Sequence, residues 1–448
     1  MSYIAVKPEI EELIEARKWD ALQEALTDWP AAEISELLMS LDSVERVVVF
    51  RALSRRKAAE VFSWMDRDDQ EALLYNLQED DTRKLLANLA PDDRTRLLEE
   101  LPATVTQRML SLLNKEDLAE ARELLGYPEE SVGRLMTPDV VAIRPGWTVE
   151  EALVHIRENG KDSETLNVIY VVNDDGSLVD DFRVRQLLLA DPETSVRDLM
   201  DEAFVALQAS ADQEDAIQVF RDYDRVALPV TDSEGVLLGI VTVDDVLDVA
   251  REEATEDFHK GAAVSPLRQG YRESSIWSLF GSRVGWLSIL ILVNLVSSGV
   301  IAAYEETLEA AIALAFFIPL LIDSGGNAGA QSATLMVRAI ATKNVELSQW
   351  AKAFGKEIAV GILLGVVMGL LSAVLGIFRG GPEIGLIVGL AMVGIILVAN
   401  LVGTILPFIL TYFDLDPAVA SAPLITTIAD AAGLLIYFSI AAAVLGSI

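Results

Sequence analysis

An apolar stretch with a single acid lies near the C-terminus and reads Pro423-Leu-Ile-Thr-Thr-Ile-Ala-Asp430-Ala-Ala-Gly433-Leu-Leu-Ile-Tyr437. It belongs to residues 417–448, which are apolar over enough length to cross the roughly 30 Å hydrocarbon core of a membrane as a helix. A carboxylate is expensive to bury at that depth, so an intramembrane acid predicts a functional site with a cationic partner. No basic residue follows Asp430. We interpret the partner as a transported cation; the alternatives are a protonated Asp430 or one that bonds helix backbone.

Four further apolar runs precede this one, which predicts five membrane-spanning helices. They are residues 284–303, 310–333, 358–378 and 384–413, and only the second contains a charge, Asp323. The loop between the second and third runs carries four basic residues, Arg338, Lys343, Lys352 and Lys356. The positive-inside rule places that loop in the cytoplasm. We therefore expect a multi-pass protein of the cell (inner) membrane with a cytoplasmic N-terminus and an external C-terminus.

The formal net charge of −34 is concentrated before the first span. Residues 276–448 contain 6 basic and 10 acidic side chains, whereas the part before them contains 29 and 59. Such an acidic excess argues against nucleic acid and anionic lipid headgroups as main partners, so lipid contact is expected around the spans alone. The chain has no cysteine, and His155 and His259 offer no evident nucleophile–base pair, so we do not expect an enzyme.

A repeat of 12 residues without gaps marks the N-terminal region. The segment Asp69-Gln-Glu-Ala-Leu73-Leu74-x-x-Leu77 recurs from Asp81 and again from Asp93. Asp can cap a short helix, and Leu-Leu-x-x-Leu gives each helix one apolar face. Helices of this kind stack so that their core exists only through their neighbours. We therefore expect a cytosolic, all-α superhelical N domain over residues 1–130.

A second repeat has an offset of 64 residues and pairs Val132-Gly-Arg-Leu-Met136 with Val196-Arg-Asp-Leu-Met200. Each copy continues into a strand, a turn, a strand and a helix. The pattern resembles a tandem pair of CBS domains, an α+β fold, at residues 131–195 and 196–250. In CBS pairs a Ser/Thr-x-x-Asp at the strand-to-helix junction often holds a ribose, and Thr242 and Asp245 fit this motif.

The first copy departs from that motif, because it has Arg183-Val-Arg185-Gln186 at the same place and lacks both the hydroxyl and the carboxylate. The CBS resemblance implies ATP or another adenine nucleotide as a cofactor, held by Thr242, Asp245 and Arg185. The alternative is a regulatory scaffold without nucleotide.

Acidic side chains line the predicted helix that leads from the CBS pair towards the first span, from Asp245 to about His259. The stripe consists of Asp245, Asp248, Glu252 and Glu256 on one helical face, with Glu253 and Asp257 beside it. A solvated face is the common fate of such a run. If the stripe faces other acids, however, divalent cations are needed to bring the surfaces together. We predict regulatory metal sites on this acidic connecting (plug) helix, assigned to residues 251–275, with Asp414 and Asp416 as partners before the last span.

Three motifs in the spans carry a resemblance to the MgtE family of magnesium channels and transporters. They are Pro319-Leu-Leu-Ile-Asp-Ser-Gly-Gly-Asn-Ala-Gly-Ala-Gln-Ser-Ala-Thr334-Leu, Ala399-Asn400-Leu-Val-Gly403 and the stretch around Asp430. The resemblance extends over the whole chain and implies a homodimer with one pore between the protomers, where Asp430 of each chain faces the ion. We expect a pore ion site in the transmembrane domain, residues 276–448, that involves Asp430, Asp323, Asn327, Thr334, Gly325, Gly326 and Asn400.

The second span departs from typical members, which carry Gly-Thr-Gly-Gly-Asn-x-Gly-Asn-Gln where this chain has Asp323-Ser324 and Ala330. Gly325-Gly326-Asn327 predicts a broken helix whose freed carbonyls line the pore; the alternative is close helix packing. Asp323 adds a second intramembrane acid, which serves as an ion site, a proton carrier or a structural hydrogen-bond partner.

Together these features predict a Mg²⁺-selective (divalent cation) channel that imports Mg²⁺. Cytosolic Mg²⁺ is expected to close it by bridging acids of the N domain, the CBS pair and the connecting helix. Two carboxylates would balance one Mg²⁺ that keeps most of its waters. The main alternative is a proton- or sodium-coupled divalent cation carrier, and a membrane-anchored sensor without transport is a second one.

Overall fold

The computed structural model describes residues 10, 12–14, 16–267, 271, 274–413 and 415–446. These residues divide into two compact units, one that ends at Glu252 and one that begins at Glu253. The first unit contains short helices and two small sheets, and the second contains five long apolar helices. The predicted combination of an all-α region, an α+β region and five spans is confirmed.

Nine short helices follow one another in the described N-terminal part of the chain. They are α1 (Trp19–Thr27), α2 (Ala31–Ser40), α3 (Ser43–Ala52), α4 (Arg55–Ser63), α5 (Arg67–Asn76), α6 (Glu79–Leu86), α7 (Pro91–Glu100), α8 (Ala103–Leu112) and α9 (Lys115–Leu124). The 12-residue repeat falls on α5, α6 and α7, and its leucines are buried in one continuous core. Each helix therefore buries its apolar face against its neighbours, as the repeat predicts.

The repeated aspartates lie in the first turn of their helices instead of at the N-caps. Asp69, Asp81 and Asp93 are each the third residue of α5, α6 and α7. The prediction that they are N-caps is wrong, because each helix begins two residues before the aspartate. The N-cap residues are Asp66, Gln78 and Ala90, which differ from one repeat to the next. Two of these acids also connect helices: Asp81 pairs with Arg51 at 2.9 Å, and Asp93 accepts a hydrogen bond from Ser63 at 2.6 Å. A carboxylate in the first turn also interacts favourably with the helix dipole.

Two three-stranded sheets follow, one in each copy of the longer repeat. The first copy contains α10 (Val132–Leu135), β1 (Ala142–Ile143), α11 (Val149–Asn159), β2 (Val168–Val172), β3 (Leu178–Arg183) and α12 (Val184–Leu189). The second contains α13 (Val196–Leu199), β4 (Leu207–Gln208), α14 (Gln213–Tyr223), β5 (Ala227–Thr231) and β6 (Leu237–Thr242). In each sheet the first two strands pair in parallel and the last two antiparallel. Bridges from Thr137 to Ile240 and from Ser177 to Val236 join the two copies.

A single helix, α15 (Val243–Gly261), leaves β6 without a loop and continues from the first unit into the second. The predicted helix from Asp245 to about His259 is confirmed. The described residues between Gly261 and Ile276 are not helical.

Five helices of the second unit are long and apolar enough to cross a membrane, as predicted. They are α16 (Ile276–Ala303), α18 (Ile318–Ala341), α19 (Trp350–Gly380), α20 (Pro382–Tyr412) and α21 (Ala422–Leu445). A short helix, α17 (Glu305–Ala310), and a 3₁₀ segment (Ile312–Phe317) lie between the first two spans. Further 3₁₀ turns, Leu347–Gln349 and Pro417–Val419, precede α19 and α21.

The second span is continuous where the sequence predicts a break. Helix α18 passes through Gly325-Gly326-Asn327 without interruption, and the irregular backbone lies earlier, in the 3₁₀ segment. Gly325 and Gly326 are buried, and a Cβ at these positions would collide with Ile395 and Thr426. The break was predicted wrongly because these glycines remove side chains at a helix contact and leave the helical hydrogen bonds intact.

The third and fourth spans pack along a row of glycines. Gly361, Gly365 and Gly369 recur every fourth residue on one face of α19, which lies against α20. Further along, a Cβ at Gly376 would lie 2.7 Å from the Cα of Gly385. Small residues in such rows let two helix backbones approach closely. Helix α20 carries the largest set of buried residues among the five spans, and its polar residues Asn400 and Thr404 are among them.

Candidate ion site

One face of α18 is polar at membrane depth. Asp323, Asn327 and Thr334 share this face by their spacing, and all three are exposed in the single chain. Asn327 donates a hydrogen bond from Nδ2 to Asp323 Oδ2 at 3.1 Å, and Thr334 Oγ1 donates to the carbonyl of Ala330 at 2.9 Å. Lipid cannot satisfy a carboxylate or an amide, so this face requires water, an ion or another protein chain.

Asp430 lies on α21 at the level of Asp323. Gly326 of α18 faces Thr426 and Gly329 faces Ile425, so α18 and α21 run antiparallel. One helical turn beyond Thr426 brings the half-buried Asp430 close enough to Asp323 for the two carboxylates to repel each other. Within the described chain, neither acid forms an ion pair with a basic side chain. Two acids without a basic counter-ion therefore lie at one level of the membrane unit, an arrangement that a cation would stabilise.

The structure places the remaining predicted pore residues away from that face. Gly325 and Gly326 lie in the contacts of α18 with its neighbours. Asn400 is 2% exposed and donates a hydrogen bond from Nδ2 to Glu357 Oε2 at 3.1 Å. The structure therefore brings together Asp323, Asn327 and Asp430. Thr334 lies on the same face of α18 but eleven residues, about 16 Å, further along the helix, and Asn400 lies in the interior.

Glu357 was not singled out from the sequence, because it stands just before the uncharged run 358–378. Its position carried a signal nevertheless: Glu357 precedes Gly361 by one turn and so extends the glycine row that faces α20. A charged residue on a tightly packed helical face predicts a polar partner on the facing helix.

The N-terminal part of α15 faces acids of the first unit. Asp245 is surrounded by Asp244, Asp93 and Glu164. Burial, reinforced by the repulsion of these carboxylates, raises the pKa of Asp245 to about 7, although the hydroxyl of Thr242 donates to it at 2.8 Å. Acids of α7, of the first CBS copy and of α15 thus converge, which is the arrangement that a bridging cation would stabilise.

Two of the predicted metal ligands have an arginine as counter-ion. Arg96 of α7 donates from Nη1 to Asp248 Oδ2 at 2.9 Å and from Nη2 to Glu252 Oε1. The guanidinium thereby joins α15 to the N-terminal helices of the first unit without a metal ion.

Lys260 is the counter-ion of acids at the other end of α15, within the second unit. Lys260 Nζ contacts Glu256 Oε1 and lies 2.7 Å from Asp416 Oδ2, in the segment before the last span. Burial, followed by the charge of Asp416, raises the pKa of Asp257 next to this pair. Glu253 lies half-buried one turn earlier. Asp414, the second predicted partner, lies outside the described residues.

Comparison with known proteins identifies the family. The MgtE divalent cation transporter domain matches residues 318–440, the MgtE intracellular N domain matches 29–130, and CBS domains match 132–192 and 196–252. The magnesium transporter MgtE of Thermus thermophilus is 42% identical over 96% of this chain and 97% of its own length. The chain belongs to the MgtE family. The magnesium transporter MgtE of Enterococcus faecalis is 36% identical over 91% of this chain and 90% of that protein.

Two solved structures of soluble parts resemble this MgtE-family chain. The cytosolic domain of the Mg²⁺ channel MgtE in complex with ATP is 37% identical, with a TM-score of 0.52, over 54% of this chain and 99% of that domain. The soluble part of a magnesium transporter is 31% identical, with a TM-score of 0.54, over 56% and 99%. Both likenesses support the helical and CBS architecture described above.

The CBS pair of this MgtE-family chain retains one half of the ribose motif. Thr242 Oγ1 donates to Asp245 Oδ2, so the hydroxyl and the carboxylate stand together at the start of α15. In the other copy, Gln186 Oε1 accepts a hydrogen bond from the backbone N–H of Arg183 and caps α12, on which Arg185 is exposed. The residues at the junction of β6 and α15 therefore fit the ribose motif, whereas those at the junction of β3 and α12 do not fit it.

In the part of the chain that the structure describes, no group of three or more His, Asp or Glu side chains is arranged to hold one metal ion directly. Mg²⁺ usually keeps several waters and takes one or two carboxylates. Carboxylate pairs such as Asp257 with Asp416 therefore fit a hydrated Mg²⁺ better than a fully dehydrated ion.

Proposed function

We propose that this chain is a Mg²⁺ channel that imports Mg²⁺ and closes when cytosolic Mg²⁺ rises. The proposal rests chiefly on Asp323 and Asp430, two acids at one level of the membrane unit with no basic partner among the described residues. Acids in this position attract a cation and mark an ion pathway. The relatives support Mg²⁺ as the ion, because they are named magnesium transporters and one is named a Mg²⁺ channel.

A second copy of the chain completes the pore in this proposal. The exposed polar face of α18 cannot face lipid, and the same face on a second copy would enclose it about a two-fold axis. Two Asp430 side chains then supply two negative charges, which balance one Mg²⁺ while its waters fill the coordination shell. The basic loop between the second and third spans orients the assembly with its first unit in the cytoplasm.

Regulation follows from acids that repel one another even though a basic residue lies nearby. Arg96 and Lys260 neutralise part of α15, whereas Asp257, Asp245 and Asp93 repel nearby carboxylates. A hydrated Mg²⁺ between Asp257 and Asp416 fixes the end of α15 to the segment before the last span. Several weak sites of this kind are needed, since a gate requires several kcal/mol of differential binding.

An adenine nucleotide is the proposed ligand of the CBS pair, at Thr242 and Asp245. The related cytosolic domain solved with ATP supports this assignment. Because Asp245 also faces Asp93, a nucleotide that engages Asp245 would change the repulsion that Mg²⁺ relieves. Arg185, in the motif of the other copy, is the basic candidate for a phosphate, and its side chain is exposed.

The second candidate function is a carrier that couples divalent cation transport to H⁺ or Na⁺. Asp323 favours it, because two adjacent acids can share a proton as well as an ion. Uphill Mg²⁺ movement driven by a pH gradient across a liposome would establish coupling, whereas a channel only dissipates the Mg²⁺ gradient.

The decisive experiment measures Mg²⁺ entry into proteoliposomes that contain a Mg²⁺-sensitive dye. We expect rapid entry for the wild type and loss of entry for Asp430→Asn. Glu309→Gln, which removes an exposed acid from α17, is the matched control and should conduct normally. Equal entry for the wild type and Asp430→Asn would refute the assigned pathway. The same assay tests closure. The double variant Asp257→Asn with Asp416→Asn should need more Mg²⁺ on the cytosolic side to close than the wild type does.

A further inference from the structure

A tyrosine of the fifth span holds the backbone from which the second span begins. Tyr437 of α21 donates a hydrogen bond from its hydroxyl to the backbone carbonyl of Leu314 at 2.9 Å. Tyr437 and Leu314 are 1% and 0% exposed, so the bond lies inside the bundle. Leu314 belongs to the 3₁₀ segment Ile312–Phe317, which leads directly into α18. The hydroxyl therefore connects α21 to the start of α18.

The start of α18 depends on such contacts, because its own sequence fixes it weakly. Phe317 occupies the N-cap position, and its side chain forms no capping hydrogen bond. Pro319 in the first turn has no backbone N–H to donate. The 3₁₀ segment before it has hydrogen bonds of poorer geometry than an α-helix. Contacts with neighbouring helices must therefore set where α18 begins and how it is rotated.

The tyrosine lies on the face of α21 that carries Asp430. Seven residues separate Tyr437 from Asp430, which is almost two full turns and about 10 Å along the axis. On the other side of Asp430, one turn away, Thr426 packs against Gly326 of α18. The two helices are thus joined before and after Asp430, and Asp323 lies on α18 between the two contacts.

We propose that Tyr437 is a positioning residue of the ion site, which sets the separation of the Asp323 and Asp430 carboxylates by holding the Leu314 carbonyl. This inference rests on the proposed Mg²⁺ pathway through that acid pair. Without the hydrogen bond, the start of α18 moves away from α21 and carries Asp323 with it. A cation is then attracted less strongly by the two acids together, since the Coulomb energy falls with distance. Tyr437 itself touches no ion.

The test measures Mg²⁺ uptake into proteoliposomes over a range of external Mg²⁺ concentrations. Tyr437→Phe keeps the ring and removes the hydroxyl. We expect the Mg²⁺ concentration for half-maximal uptake to rise about three- to tenfold, a range that corresponds to the loss of one buried hydrogen bond. The maximal rate should change little. A lower maximal rate with an unchanged half-maximal concentration would show a role in folding alone and would overturn the proposal.

Tyr304→Phe is the matched control. The Tyr304 hydroxyl lies 3.2 Å from Ser439 Oγ, so it contacts the same end of α21. Tyr304 follows α16, however, and its hydroxyl does not hold the segment that leads into α18. The half-maximal Mg²⁺ concentration of Tyr304→Phe should therefore equal that of the wild type. An equal rise in both tyrosine variants would contradict a specific role for the Leu314 bond.

A double-mutant cycle separates positioning from a general loss of packing. In an Asp323→Asn background the second charge is absent, so its position no longer matters to the ion. Tyr437→Phe should then have little further effect on the half-maximal Mg²⁺ concentration. The same rise in both backgrounds would show that the tyrosine acts independently of Asp323, against the proposal.

A measurement without transport distinguishes this inference from the proposed function. The chain has no cysteine, so Asp323→Cys with Asp430→Cys introduces a single pair of thiols per chain. Dibromobimane becomes fluorescent when both of its ends have reacted, and electrophoresis separates links within a chain from links between copies. Adding Tyr437→Phe should slow the link within the chain, and an unchanged rate would refute the positioning role. Slower linking together with no Mg²⁺ uptake by the wild type would refute the proposed function alone.

Discussion

Replacing Gly403 by alanine tests the close contact between the second and fourth spans. The added Cβ would lie 3.1 Å from the carbonyl carbon of Gly329 and 3.1 Å from the nitrogen of Ala333, and it would be nearer still to the Gly329 oxygen. Ordinary carbon contacts are about 3.5–4.0 Å. Because the obstructing atoms are backbone, α18 must move away by roughly 1 Å.

The magnitude follows from two losses. Overpacking at a helix contact costs about 1–3 kcal/mol. The Ser332–Thr404 hydrogen bond, 2.9 Å long and adjacent to Gly403, would stretch beyond bonding range and cost about 1 kcal/mol more. A total of about 2–4 kcal/mol corresponds to a fall of roughly 4–16 °C in the unfolding midpoint of a unit of this size.

Thermal unfolding of the purified protein in detergent measures the effect, and Mg²⁺ uptake shows whether the shifted α18 still conducts. Gly355→Ala is the matched control, because no atom lies within 4 Å of the added Cβ in the described structure. Alanine there should leave the midpoint unchanged or raise it slightly, since glycine is the weaker helix former by about 1 kcal/mol. A Gly403→Ala protein with the midpoint of the wild type would refute the packing of α18 against α20.

Three further predictions concern charge. Lys260→Met leaves Glu256 and Asp416 to repel each other, so the cytosolic Mg²⁺ that half-closes the channel should rise about two- to tenfold in flux measurements, whereas Lys260→Arg should preserve it. Asp245 keeps its proton in the folded chain up to pH about 7 but releases it near 3.8 when unfolded, so the stability it contributes is complete in acid and is lost as the pH rises through 7. Thermal unfolding in EDTA should show a lower midpoint at pH about 8 than at about 6 for the wild type and not for Asp245→Asn. Asp323→Gly should raise the Mg²⁺ concentration for half-maximal uptake about three- to tenfold, and an unchanged value would assign Asp323 to structure.

The five spans could be predicted from sequence because each is a long apolar segment, a property that a membrane helix must have whatever its neighbours are. Their ends were less predictable. Helix α16 begins at Ile276, although the uncharged run begins after Arg283, because a single cation does not end a helix. The strands and helices of the CBS pair were predictable for a similar reason, since the repeat shows each element twice.

The faces of the membrane helices could not be predicted in the same way. Asn400 was assigned to the pore from a shared motif, yet it donates to Glu357 in the interior. A motif shows which residues belong together in a family but not which way each one points. Helix α20 is the most buried of the five spans, and its sequence is apolar on all sides. The sequence therefore does not indicate which face of the helix points in which direction. Only the partner side chain on α19 distinguishes the face of Asn400 from the others.

The unbroken course of α18 changes how an ion can be held beside Asp430. The backbone carbonyls at Gly325 and Gly326 are engaged in helical hydrogen bonds, so they cannot replace the waters of a cation as free carbonyls would. The groups left on the polar face are side chains, chiefly the carboxylates of Asp323 and Asp430 and the amide of Asn327. Side chains around a small octahedral ion can reach it through its waters. In the proposed channel, selectivity for Mg²⁺ at this site would come from the size and charge of the hydrated ion.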